Sequence, residues 1–145
     1  MTTEPIMAAL FAYLTALQSA GTVEYVSRRI QHWDGFNSAN CPAVFQIENG
    51  IDVVQTRHQP PKFTYSVDWW IYVAQPDDSQ PMTPQLNAII DALVTSIATP
   101  SDPSADNTLG GLVQRVYVSG KVEIAEGALT GGLAVAVIPL TILTA

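Results

Sequence analysis

The stretch Lys62–Ala74 alternates along its whole length. Phe63, Tyr65, Val67, Trp69, Ile71 and Val73 fall on one side, and Thr64, Ser66, Asp68, Trp70 and Tyr72 on the other. A period of two in a run rich in aromatic and β-branched residues predicts a strand with one face toward a core. Thr83–Ala98 follows a different period, with Leu86, Ile89, Ile90, Leu93, Val94 and Ile97 on one helical stripe. Thr83 suits the cap and Pro84 the first turn, while Pro100 and Pro103 prevent continuation. Glu4–Ser19 repeats the helical spacing through Ile6, Leu10, Tyr13, Leu14 and Leu17, with Thr3 before it, Pro5 in the first turn and Gly21 after it.

The remaining segments are shorter or less regular. Val23–His32 contains a short strand, and Asp34–Pro42 has the composition of a loop. Ala43–Ile47 reads as a strand, Glu48-Asn49-Gly50 as a tight turn, and Ile51–Thr56 as the returning strand, ended by Pro60 and Pro61. Gln75–Pro81 and Ser101–Thr108 are polar loops. Leu112–Ala125 predicts one strand through Val116, Val118, Val122 and Ile124. Leu133–Leu143 is nearly continuous in apolar residues, as in a strand covered on both faces. Pro139 cannot donate to a ladder, so this last strand is expected at an edge or bulged there. The order helix, strands, helix, strands predicts an α+β fold. The expected architecture is a mostly antiparallel sheet with two helices packed on one face, in a single domain over residues 1–145.

Composition narrows the functional classes. Charged residues are 13% of the chain, against about a quarter in typical domains. Either the surface is rich in uncharged polar residues or part of it is hidden between subunits. The net charge of −7, with six Lys and Arg in all, argues against a phosphate-gripping nucleic-acid binder. The lone Cys41 excludes an internal disulfide and reads as a small buried apolar residue. The apolar N-terminal run lacks a basic leader and contains Glu4 and Pro5, so it is read as part of the fold. Gly131–Ala145 is shorter than the roughly 20 residues a membrane helix needs, and no membrane partner is expected.

The residues offer little catalytic chemistry. His32 and His58 lack metal-ligand spacing, and no phosphate loop or nucleophile elbow occurs, so neither a cofactor nor a metal is expected. Leu109-Gly110-Gly111 leads into a strand, where a phosphate cradle would lead into a helix, and reads as a sharp backbone turn. The adjacent Asp77-Asp78 reads as a solvated turn. Trp69 and Trp70 must point to opposite faces of their strand. Trp69 belongs with the core set, whereas Trp70 and Tyr72 fall on the polar side, as in a protein contact or under a second cover.

Several segments together resemble the tail terminators of long-tailed bacteriophages. They are Val26–Asp34 (VSRRIQHWD), Cys41–Phe45 (CPAVF), Trp70–Val73 (WIYV), Leu86–Leu93 (LNAIIDAL), Thr108–Gly111 (TLGG), Val116–Gly120 (VYVSG) and Ala134–Leu140 (AVAVIPL). The resemblance implies a non-enzymatic structural protein of the virion, assembled in the host bacterial cytoplasm. It implies an α+β subunit forming a hexameric ring that caps the head-proximal end of the tail tube, with the tail tube protein and the head–tail connector protein as partners. A head–tail connector, tail-completion or other minor tail protein is the alternative within this class. A small ligand-binding or enzymatic domain is the alternative outside it, and would need a pocket with converging polar groups. Under the assembly reading, Trp70, Tyr72, Pro60, Pro61 and Pro139 are candidate interface residues. Asp77, Asp78, Asp102 and Asp106 are candidates for an acidic lumen that lets DNA pass, or for partner contacts.

Overall fold

The computed structural model describes residues 3–32, 36–74, 83–98, 107–125 and 133–144. Helix α1 spans Thr3–Ser19 and helix α2 spans Thr83–Ala98. The strands are β1 (Tyr25–Ser27), β2 (Ala43–Val54), β3 (Lys62–Ala74), β4 (Arg115–Val118), β5 (Glu123–Ala125) and β6 (Leu133–Leu143). They form one sheet in the order β1-β2-β3-β6-β4, with β5 beside β4 along the same edge of β6. Every pairing is antiparallel except the short parallel contact of β1 with β2. The fold is α+β, with both helices on one face.

That face holds the main core. Ile6, Met7, Leu10 and Leu14 of α1 and Leu86, Ile89, Leu93 and Ile97 of α2 are buried against Val44, Tyr65, Val67, Trp69, Ile71, Ile138, Leu140 and Ile142. The alternation of β3 places Trp69 there, fully buried. Helix α1 stops at Gly21, whose φ of 80° suits a residue without a Cβ. Gly21 N–H donates to Gln18 O and Thr22 N–H to Leu17 O, which closes the last turn in a Schellman pattern.

A polar chain runs through this apolar layer. The Trp69 indole N–H donates to Gln46 Oε1 at 3.1 Å, and Gln46 Nε2 donates to Met7 O at 2.9 Å. Gln46 is 1% exposed, so these bonds are its only solvation and they fasten α1 to β2 and β3. Asn107 does the same at the other end. Its amide donates to Tyr13 Oη and Ile97 O, and its side-chain oxygen accepts from Leu109 N–H.

Three sequence expectations are corrected. Glu48-Asn49-Gly50 is not a turn: β2 runs through it, and the extra residue is absorbed as a register shift between Glu48 and Gly50. The hairpin turn lies farther on, before β3, where Gln59 N–H donates to Thr56 O. Leu112–Ala125 is not one strand but two short ones, β4 and β5. Pro139 is not at an edge, because β6 pairs with β3 along its whole length and with β4 and β5 on its other side.

The position of Pro139 has a simple explanation. Its carbonyl accepts from Ser119 N–H, on the β4 side. In an extended strand a residue's N and C=O point the same way, so the missing N–H faces that side too. It falls between Leu140, the last partner of β4, and Val137, the first of β5, where the ladder is already interrupted. Pro139 therefore guards no edge. Pro139→Val is expected to leave solubility unchanged, and light scattering during concentration checks this.

Candidate assembly surface

The face of the sheet away from the helices is half covered. The chain between β1 and β2 folds over it and inserts Phe36, which meets Tyr25, Phe45 and Tyr72 at ring-centroid distances of 5.5–5.8 Å. Ala43, Leu133 and Val135 complete this second, smaller core. Tyr72 is fully buried in it, and its hydroxyl donates to Gln31 O at 2.7 Å. Burial raises the Tyr72 phenol above its ordinary value, and the neighbouring Cys41 adds to the shift. Tyr72 therefore faces no partner: its cover comes from its own chain, which corrects the expectation drawn from alternation alone. Cys41 lies in the same cover, its thiol pushed up to about 11 by burial.

Trp70 packs at the margin of this second core and is half-buried, flanked in register by Phe45 and Val137. Beyond it the face opens into a band of half-buried residues that includes Asp68, Pro139, Thr141 and Tyr117. Burial among these neighbours raises the Asp68 carboxyl above the usual carboxylate range. Arg115 lies over the Tyr117 ring, with its guanidinium 4.5 Å from the ring centroid. Trp70 and Pro139 thus share one face, while Pro60 and Pro61 are exposed at the far end of the β2–β3 hairpin. Asp77, Asp78, Asp102 and Asp106 lie outside the described residues.

The sharper feature is the outer edge of β2, which sequence reasoning missed by ending that strand at Ile47. β1 pairs only with Ala43–Phe45, and no other described strand adds to this side. Among the described residues six large hydrophobics are exposed, and Ile51, Val53 and Val54, at 48%, 57% and 61%, sit together on this strand. Natural edge strands are usually short or protected by charged residues, proline or a cover, and this one has its irregularity at Asn49 and the acidic Glu48 and Asp52 but neither lysine nor proline. The signal was present in the β-branched Ile51, Val53 and Val54, but the Asn-Gly dipeptide masked their continuity with Ala43–Ile47.

Charges nearby are structural. Arg28 grips both carboxylate oxygens of Glu4 and donates to Glu48 Oε1 at 2.9 Å, tying the start of α1 to β2. The hydrogen bond from Arg28 lowers the Glu4 carboxyl. Half of the Arg28-Arg29 pair is thus engaged within the chain. The backbone at Leu109, Gly110 and Gly111 takes positive φ values of 50°, 72° and 92°, the sharp turn read from the sequence. Among the described residues no three His, Cys, Asp or Glu side chains are placed to share a metal ion, and no helix is long and apolar enough to cross a membrane. No protein-family model matches the chain, and no curated protein matches it.

Proposed function

We propose that this chain is a structural subunit of a long-tailed bacteriophage, a tail terminator. In this reading it assembles as a ring, of hexameric form by the resemblance, on the head-proximal end of the tail tube. The observation that carries the assembly step is the open β2 edge with its exposed Ile51, Val53 and Val54. Exposed apolar strand edges are assembly sites or aggregation hazards, and a low-charge chain has few means of shielding one. The segments that resemble terminators, spread along the chain, support the more specific role.

The physical task is to end a growth process. A tube built by stacking identical rings always offers the same surface to the next ring. A terminator must bind that surface with one face and present to the solvent another that rejects further tube subunits while accepting the head connector. The chain performs no chemistry in this reading, and its partners are copies of itself, the tail tube protein and the connector. The net charge of −7 suits a ring through which DNA slides without sticking.

Deleting the gene and imaging the lysate tests the proposal. The expected result is unjoined heads and tails, with tails of abnormal and often excessive length. Tails of normal length that fail to attach would favour the connector or completion role. Normal virions would overturn the structural reading.

A further inference from the structure

The sheet ends on both sides in strands with an unpaired edge among the described residues. On one side the edge of β2 is unpaired beyond Phe45 and exposed from Glu48 to Val54. On the other side β4 is closed by its own chain, since Val116 N–H donates to Asn107 O at 2.9 Å. β5 has no described strand beyond it, and Glu123, Ile124 and Ala125 are all exposed. Among the described residues, one sheet therefore carries two open edges facing opposite ways.

The two edges match in direction and face. β2 is antiparallel to β3, β3 to β6, and β6 to β5. A second copy placed beside the first in the same orientation thus brings its β2 antiparallel to the first copy's β5. Ile124 pairs with Ala136 and so lies on the helix side of the sheet, 51% exposed. Ile51 and Val53 pair with Tyr65 and Phe63 and lie on that same side. Both edges carry acid, Glu123 on β5, which lies 4.0 Å from Lys121, and Glu48, held by Arg28, and Asp52 on β2, so the match rests on direction and on the apolar face.

We infer that β5 of one copy adds to the open edge of β2 of the next, continuing the sheet across a head-to-tail contact between identical chains. Backbone hydrogen bonds supply the adhesion, and Ile124 set against Ile51 and Val53 supplies the register. A contact between two different patches repeats from copy to copy, and it closes into a ring when the rotation per step permits. This deepens the assembly reading above by naming the surfaces that meet.

Disulfide trapping in the full chain tests it. In a Cys41→Ser background, Ile124→Cys is combined with Ile51→Cys or, to cover the second register, with Val53→Cys. Mild oxidation of a concentrated sample is expected to give a ladder of linked multimers with at least one of the double variants and no linked dimer with the single variants. The two edges of one chain lie on opposite sides of the sheet, so the links form between copies. A linked dimer from Ile51→Cys alone would show β2 pairing with itself and overturn the inference, as would the absence of a ladder from both doubles. Ile124→Asp in the otherwise unaltered chain is expected to shift light scattering toward the monomer, and unchanged association would also overturn it. Failure here together with the tail-length phenotype leaves the terminator reading standing without this contact. A ladder together with normal virions leaves the contact standing without that reading.

Discussion

Gln46→Ala is expected to lower the unfolding free energy by about 3 kcal/mol. Two effects add. The Trp69 indole N–H loses its acceptor inside an apolar layer, which costs about 1–3 kcal/mol. Removing the rest of a side chain that is 1% exposed leaves a cavity whose lining cannot fully collapse, for a further 1–2 kcal/mol or so. Gln46→Met separates the two, since it keeps most of the volume and leaves the indole unpaired, and its expected loss is about half as large. Urea unfolding checks both through the midpoint at constant slope. A loss below about 0.5 kcal/mol for Gln46→Ala, the range of an indifferent surface change, would show that the hydrogen-bonded chain does not hold α1 to the sheet.

Gln46 also marks where the sequence stops being informative. Its place on a strand was legible from Ala43–Ile47, but its partners were not, because Met7 is 39 residues away and Trp69 is 23. Asn107 read as one more polar loop residue for the same reason, although it binds Tyr13 from 94 residues away. Elements set by their own periodicity read well. The strand Lys62–Ala74, the helix Thr83–Ala98 and the strand Leu133–Leu143 have the expected bounds, because alternation or a helical stripe repeats often enough in each to outweigh any single residue. The errors came from single-residue signals that longer-range pairing overrode. Asn49-Gly50 favours a tight turn locally, yet eleven register pairs with β3, from Ala43↔Tyr72 to Val54↔Lys62, hold β2 extended through it. Pro139 marks a break in a ladder, and alternation cannot tell an edge strand from an interior strand beside a gap.

The candidate site was half legible for a related reason. Periodicity assigned Trp70 and Tyr72 correctly to the second face, but it carries no information on what covers a face. The cover is a connection of irregular backbone whose large apolar anchor, among the described residues, is Phe36. The edge of β2 became visible only once β1 was seen to stop at Ser27, since an unpaired backbone is a property of the sheet and not of the strand.

Phe36→Ala is expected to release that cover. Phe36 is 8% exposed and packs its ring edges and faces against Tyr25, Phe45 and Tyr72, so the truncation is expected to cost about 3 kcal/mol, the low end for a buried phenylalanine because a connection relaxes more readily than a strand. A second readout distinguishes detachment of the cover from general weakening. Burial holds the Cys41 thiol at about 11, against an ordinary 9.0, so very little thiolate is present near neutral pH. Loss of the cover removes that desolvation, the thiol falls toward its ordinary value, and the thiolate fraction rises by up to about 100-fold. Alkylation of Cys41 by iodoacetamide in the folded protein should accelerate accordingly. Gln46→Ala is the control: it lowers global stability by a similar amount from the opposite face and should leave the Cys41 rate much closer to that of the unaltered chain. Equal acceleration in both variants would mean that the thiol reacts through global unfolding and that Phe36 is not the anchor. Selective acceleration in Phe36→Ala would show that the second face is closed from within, which leaves Trp70, the band beyond it and the open strand edges as the surfaces free to meet another chain.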